Sequence, residues 1–197
     1  MSKHIRGVPR DIALCLKDTF LLDLFIETGT LVGYSAKWAS KHFKHVYTIE
    51  LFDEYYQLAS NNLSIYRNIT CMRNHSIYAL EELRLDWDGF YYPLFWLDAH
   101  WSQEAHYGRP MQESQVLSEI ENINLWQNRH AIIMDDVHKL STPRWPKRED
   151  ILHALDNNGK RNIKEIYDVF IATPIHEPNE INGECLNGSK SIDVTSA

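Results

Sequence analysis

The stretch LLDLFIETGTLVG, Leu21 to Gly33, decides how this chain folds. Leu21 to Ile26 is apolar but for Asp23 and stops abruptly in Glu27-Thr28-Gly29-Thr30. An apolar run of that length, broken by a glycine, suits a buried strand followed by a tight turn. Gly29 permits the turn and the close approach of a ligand, and Gly33 lets a helix start against the sheet. Trp38, Ala39 and His42 or Phe43 then share one helical face, so the spacing predicts a helix beginning just past Gly33.

The same alternation continues on both sides. Pro9 and Asp11, with Ile12, Leu14, Cys15, Leu16 and Phe20, predict a leading helix within residues 1–20. His45 to Ile49 is a second strand ending at Glu50, Phe52 to Asn61 a helix, and Ile69 with Cys71 the centre of a third strand. Ser76 is placed to cap the helix that Ala79, Leu80, Leu83 and Leu85 mark. Leu94 to Leu97 is a fourth strand, Val116, Ile120, Ile123 and Leu125 another helix, and Ala131 to Met134 a fifth strand. A helix over Asp150 to Leu155 and a strand over Tyr167 to Ala172 follow. Strands alternating with helices predict right-handed crossovers and a mainly parallel sheet covered on both faces, an α/β Rossmann-like fold. Residues 173–197 form a less regular tail, in which Ile181 to Leu186 and Ile192 to Val194 are candidates for a short antiparallel edge strand.

With 197 residues, 44% of them apolar and 24% charged, the expectation is one globular domain spanning 1–197. A net charge of -7 offers no field for nucleic acid or an acidic membrane surface, so neither is expected as a partner. No run is long enough to span a membrane and the first ten residues are polar, which gives a cytoplasmic address by default. Cys15, Cys71 and Cys185 stand far apart in sequence and read as free thiols of a reducing compartment.

Glu50 lies 21 residues beyond Gly29, at the end of the second strand, where a carboxylate can accept hydrogen bonds from two ribose hydroxyls. The dinucleotide fingerprint fails in every register, and a carboxylate at Glu27 would sit badly beside a pyrophosphate. Glu27 suits a ligand with an ammonium group instead. S-adenosylmethionine has that group, no phosphate, and a ribose for Glu50.

The segments Phe25 to Thr30, Val46 to Glu50 and Phe95 to His100 resemble the class I S-adenosylmethionine-dependent methyltransferase superfamily. More narrowly, they resemble a poorly characterised bacterial group of it, often found near sugar-modifying genes. The resemblance covers about Phe20 to Ile171 and implies that Glu27, Gly29, Thr30, Gly33, Glu50 and Asp98 surround the cofactor, with His75 and Ser76 at its adenine. Two departures stand out. Leu31 occupies the middle glycine position of the superfamily's E/D-x-G-x-G-x-G, and Arg73 to Ser76 replaces a Gly-Asp-Ser.

Asp98 and His100 follow the fourth strand, and Asp135, Asp136 and His138 the fifth, so both clusters are expected at one sheet edge. Asp98, Asp135 and Asp136 would repel one another unless a proton or a cation joined them, and Mg²⁺ or Mn²⁺ suits such oxygen ligands. The arrangement is also similar to metal-dependent O-methyltransferases of the catechol type, in which two aspartates at these strand ends and a following asparagine hold Mg²⁺. The lysine those enzymes use as a base would fall at Trp101, which leaves His100 as the candidate base and Asp98 beside it. Trp101, His106, Tyr107 and Arg109 predict a loop over the crevice, which either lines an acceptor pocket or merely covers the sheet, while Trp87, Trp96, Trp126 and Trp145 read as packing residues.

The expected activity is methyl transfer to a hydroxyl of a small molecule or sugar, by a chain that could act as a homodimer. Three competing readings use parts of the same pattern. A dehydrogenase shares the first turn and Glu50, a metal hydrolase would use Asp98, Asp135 and His138, and a non-catalytic binder would explain the departures at Leu31 and at Arg73 to Ser76.

Overall fold

The structure is a computed structural model and describes residues 7–100, 113–175 and, as backbone, 190–191. Strand β1 (Leu24–Thr28) is buried at every position, as an apolar run demands when both sheet faces are covered. It pairs in parallel with β2 (His45–Glu50) on one side and with β4 (Pro93–Leu97) on the other. Outside β2 lies β3 (Ile69–Arg73), and outside β4 lies β5 (Ala131–Met134), both parallel. The chain therefore runs outward from β1 to β3, then returns to start again at β4, which places a topological switch point between β1 and β4.

Successive side chains on these strands point to opposite faces and divide the core into two layers. Leu24, Ile26, Phe95, Leu97, Ile132 and Met134 pack under α4 (Ser76–Trp87), α5 (Val116–Ile123) and α6 (Arg148–Asp156). Phe25, Leu94, Trp96, Ala131 and Ile133 pack under α1 (Arg10–Phe20), α2 (Tyr34–Ala39) and α3 (Asp53–Leu63). Each helix owes its place to an apolar stripe, such as Ile12, Leu16 and Phe20 on α1, rather than to a capping side chain.

Beyond β5 the sheet turns antiparallel. β6 (Arg161–Ile166) and β7 (Val169–Pro174) form a hairpin, β7 pairs with β5, and β8 (Lys190–Ser191) adds to β6. The fold is an α/β Rossmann-like one with a mixed, mostly parallel sheet flanked by helices. The expected strand over Tyr167 to Ala172 is shifted: Tyr167 belongs to the hairpin turn, at φ 58, and β7 starts at Val169. The tail candidates Ile181 to Leu186 and Ile192 to Val194, and the loop from Trp101 to Arg109, lie outside the described residues.

The thiol expectation holds for Cys71, which is free, and not for Cys15, which is disulfide-bonded; Cys185 lies outside the described residues. Cysteines far apart in sequence carry no spacing signal for a pairing. Among the described residues no helix is long and apolar enough to cross a membrane.

Candidate active site

The parallel register sets the site. Thr28 is opposite Leu97 and Ile49, and Leu97 is opposite Met134, so Gly29, Glu50, Asp98 and Asp135 leave the sheet at one level. The ladder continues one step past the strands, with Gly29 N–H donating to Ile49 at 2.9 Å, Asp98 N–H to Thr28 at 3.1 Å and Asp135 N–H to Leu97 at 3.1 Å. A cleft of about 200 Å³ opens over these ends, lined by Gly29, Leu31, Glu50, His75, Asp98 and His100 among others.

Glu50 anchors its cofactor end. Leu31 N–H donates to Glu50 Oε2 at 3.0 Å and Phe52 N–H to Glu50 Oε1 at 2.9 Å. Each carboxylate oxygen can accept a second bond, so ribose hydroxyls remain within the group's capacity. Leu31 holds φ 50, the left-handed conformation that a glycine adopts without strain. Gly29 has φ 86, and a Cβ there would stand 2.4 Å from the carbonyl oxygen of Asp98. The glycine is thus required by the end of β4, a closer constraint than approach of a ligand.

Glu27, Thr30 and Gly33 sit behind this wall and do not line the cleft. Glu27 accepts from Thr48 Oγ1 at 2.7 Å, and Thr48 is 2.6 Å from Thr30 Oγ1. Burial pushes the Glu27 carboxyl up to about 8, against the hydrogen bonds of Thr48 and Ser35 and with the charge of Glu50. At neutral pH it is an uncharged acid tied to its neighbours, not the free carboxylate expected to meet an ammonium group.

His75 and Ser76 both line the cleft. His75 stands at the N-cap of α4, and Ser76 is the first residue inside that helix, so the expected Ser76 cap is displaced by one position and makes no cap hydrogen bond. Glu119 on α5 accepts from Thr28 Oγ1 at 3.4 Å through Oε2, while its Oε1 is buried without a hydrogen bond among the described residues; burial raises that group to about 7, against the hydrogen bonds of Ser76 and Thr28. His75 Nδ1 is likewise buried without a partner, and its ring centre lies 5.7 Å from that of Tyr78.

At the chemical end both ring nitrogens of His100 are buried and make no well-formed hydrogen bond among the described residues; burial lowers the imidazole to about 4, against the charge of Asp136 and the backbone of Asp135. Its ring centre is 4.5 Å from that of Trp145, which packs behind it and does not line the cleft. Asp98 is raised well above the carboxylate range by burial and by the charges of Asp135 and Glu27. Burial also lifts Asp135, to about 6. Asp136, at φ 60, pairs with Lys139 Nζ at 2.5 Å.

The three expected metal ligands are not gathered into one set. Among the described residues, the group whose ligand atoms all lie within 4.8 Å is Asp136, His138 and Asp168, and it contains neither Asp98 nor Asp135. His138 Nδ1 is 2.5 Å from Asp168 Oδ2, a contact that already accounts for that grouping. Sequence reading passed over Lys139 and Glu119. A cation three residues past an acidic strand end was the signal for Lys139; Glu119 looked like an ordinary exposed position of a helix.

No family model matches the chain, and no curated protein matches it in sequence. Solved structures do. A putative caffeoyl-CoA O-methyltransferase from Staphylococcus aureus superposes with a TM-score of 0.57 at 18% identity, covering 83% of this chain and 81% of that one. The magnesium protoporphyrin IX methyltransferase from Synechocystis PCC 6803 with bound SAM gives 0.51 at 16% identity, over 83% and 76%. A precorrin 8W decarboxylase from Methanobacterium thermoautotrophicum gives 0.54 at 15% identity, over 84% and 89%. At such identities the likeness is one of fold: the chain has a class I S-adenosylmethionine-dependent methyltransferase-like fold. The decarboxylase shows that the fold does not by itself name a reaction.

Proposed function

We propose that this chain transfers a methyl group from S-adenosylmethionine to a hydroxyl of a small molecule, with sugars among the acceptors. The observation that carries the reading is Glu50, buried at the floor of the cleft at the end of β2, with both oxygens fixed by backbone N–H groups and acceptor capacity to spare. The described residues fit the cofactor: Glu50 would hold the ribose, and His75, with a buried nitrogen that has no partner, would meet the adenine. When bound, the cofactor would supply a sulfonium methyl, to whose carbon an oxygen lone pair bonds as the S–C bond breaks and leaves its electron pair on sulfur.

The rest falls to the chain. Its main contribution is to orient the acceptor between His100, Lys139 and the strand ends, where alignment is worth several powers of ten in rate. His100 is neutral at pH 7 and accepts a hydrogen bond from the acceptor hydroxyl, whose proton passes through it to solvent as the new C–O bond forms. The same burial that keeps it neutral makes it a weak base, so positioning outweighs proton abstraction. Asp98, Asp135 and Asp136 do not fit a hard divalent ion as they stand, because Asp136 is committed to Lys139 and the three share no ligand cluster. No step here uses a metal.

Calorimetric titration tests the reading. S-adenosylmethionine or its demethylated product should bind with micromolar-range affinity while NAD does not. Equal or tighter binding of NAD would replace the assignment by an oxidoreductase, and binding of the methyl donor without turnover of any hydroxyl acceptor would leave a cofactor-binding protein.

A further inference from the structure

One carboxylate at the chemical end of the cleft, Asp136, already has a cation. Lys139 ends the single 3-10 turn Val137–Lys139 that follows β5, and this turn folds its side chain back over the strand end. Its Nζ lies 2.5 Å from Asp136 Oδ2 and 5.4 Å from the centre of the Trp145 ring, the same ring that stands against His100. Both partners of the ion pair are largely sheltered, with side-chain exposures of 30% for Lys139 and 18% for Asp136, and both line the cleft. Sheltered pairs are screened by water and salt much less than surface ones. The field of Lys139 also reaches Asp98, Asp135 and His100.

A divalent ion would have to enter beside this ammonium. Mg²⁺ needs near-octahedral oxygen ligands, and Asp136 could join them only by leaving Lys139. Two cations within a few ångströms of each other repel, as two carboxylates do.

We propose that Lys139 takes the place a divalent ion holds in metal-assisted methyl transfer: its ammonium balances the carboxylates around Asp136 and is the positive charge presented to the acceptor oxygen. The part concerning the acceptor rests on the methyl-transfer reading; the charge balance does not. A lysine ammonium suits the task as a compact charge with three donors, of which one is spent on Asp136.

Mn²⁺ binding followed by electron paramagnetic resonance tests this without any assay of activity. The parent chain should leave the free Mn²⁺ signal unchanged at millimolar concentration. Lys139→Gln removes the charge and should raise Mn²⁺ affinity by about tenfold or more, the scale on which one neighbouring charge moves an ionic equilibrium. Adding Asp136→Asn to Lys139→Gln should abolish the gain. Lys139→Arg keeps the charge and should behave like the parent, which guards against a gain caused by mere loosening. Mn²⁺ uptake by the parent that Asp136→Asn removes would overturn the proposal, as would a folded Lys139→Gln chain that takes up no more Mn²⁺ than the parent. Failure to bind S-adenosylmethionine, read separately by calorimetry, would remove the methyl-transfer reading while leaving this charge balance in place.

Discussion

Glu50 Oε2 accepts the backbone N–H of Leu31 at 3.0 Å, so the end of β2 holds the turn that leaves β1. One carboxylate thereby has two jobs, as an internal fastener of the cleft wall and as a group facing the ligand. Its other oxygen fastens Phe52 at the start of α3 in the same way.

Glu50→Ala should therefore weaken both the cofactor and the wall. Loss of hydrogen bonds to a charged group costs about 1.5 to 3 kcal/mol, which corresponds to roughly ten- to a hundredfold in affinity. The stranded N–H groups of Leu31 and Phe52 should also lower folding stability by about 1 to 3 kcal/mol. Calorimetry and urea denaturation on the same preparation separate the two effects. Unchanged affinity with an intact circular-dichroism spectrum would place the cofactor elsewhere.

The centre of the parallel sheet was legible because β1, β4 and β5 are apolar runs that stop at a polar or acidic residue, as in Leu24–Thr28 and in Ala131–Met134 before Asp135. The antiparallel β6 was not. Its sequence, RNIKEI, looks like a solvated stretch, yet Arg161 is buried and bonds to Asn124 at 2.7 Å and to the backbone of Leu155 at 3.1 Å. The hairpin that follows turns through Tyr167 and Asp168 without the glycine or asparagine that normally signals one. At the site, strand ends could be read from sequence, and with them Glu50, Asp98 and His100. Side-chain direction could not: Glu27 points into a buried threonine pair, and Asp136 to Lys139.

Leu31→Gly addresses the departure from the superfamily's glycine pattern. A leucine at φ 50 costs about 1 to 2 kcal/mol, and a glycine there gives back roughly 0.5 to 1 kcal/mol through its greater freedom when unfolded. The substitution should thus leave stability unchanged or raise it by up to about 1 kcal/mol. Cofactor affinity should hold, since only the backbone N–H reaches Glu50. A drop of several kcal/mol on chemical denaturation would mean that the partly exposed leucine side chain packs on something essential.

Stability should fall as pH rises from about 4.5 to about 8. Glu27 keeps its proton up to about 8 in the folded chain, against about 4.5 unfolded, so between those values the unfolded state binds fewer protons and folding loses ground. The loss is on the order of 4 kcal/mol across the window. Glu119, at about 7, adds to it with the same sign. His100 and His130, lowered to about 4, act the opposite way but only below pH 6.5. Glu27→Gln preserves the neutral shape and removes one of these contributions, leaving those of Glu119 and Asp98. Urea midpoints at pH 6 and 8.5 should lie closer together for the variant than for the parent; the same separation in both would assign the pH dependence to other groups.

Gly29→Ala tests how tightly the two halves of the cleft are joined. The alanine Cβ would lie 2.4 Å from the Asp98 carbonyl oxygen and 2.9 Å from Ala99 Cα, distances that backbone atoms cannot absorb without moving. Either the β1 turn or the end of β4 must shift, and the second carries Asp98 and His100 with it. Gly159 supplies the control, because it also has positive φ, at 72, yet a Cβ there meets nothing within 4 Å. Gly159→Ala should cost only the backbone conformation, about 1 kcal/mol. Gly29→Ala should add an overpacking cost and reach on the order of 3 kcal/mol or more. Since the clash lies between the ribose side and the chemical side of the cleft, the variant that folds should also lose affinity for S-adenosylmethionine, whereas Gly159→Ala should not. Equal destabilisation by the two substitutions in urea would show that the contact between Gly29 and Asp98 is slack, and that the cleft does not depend on it.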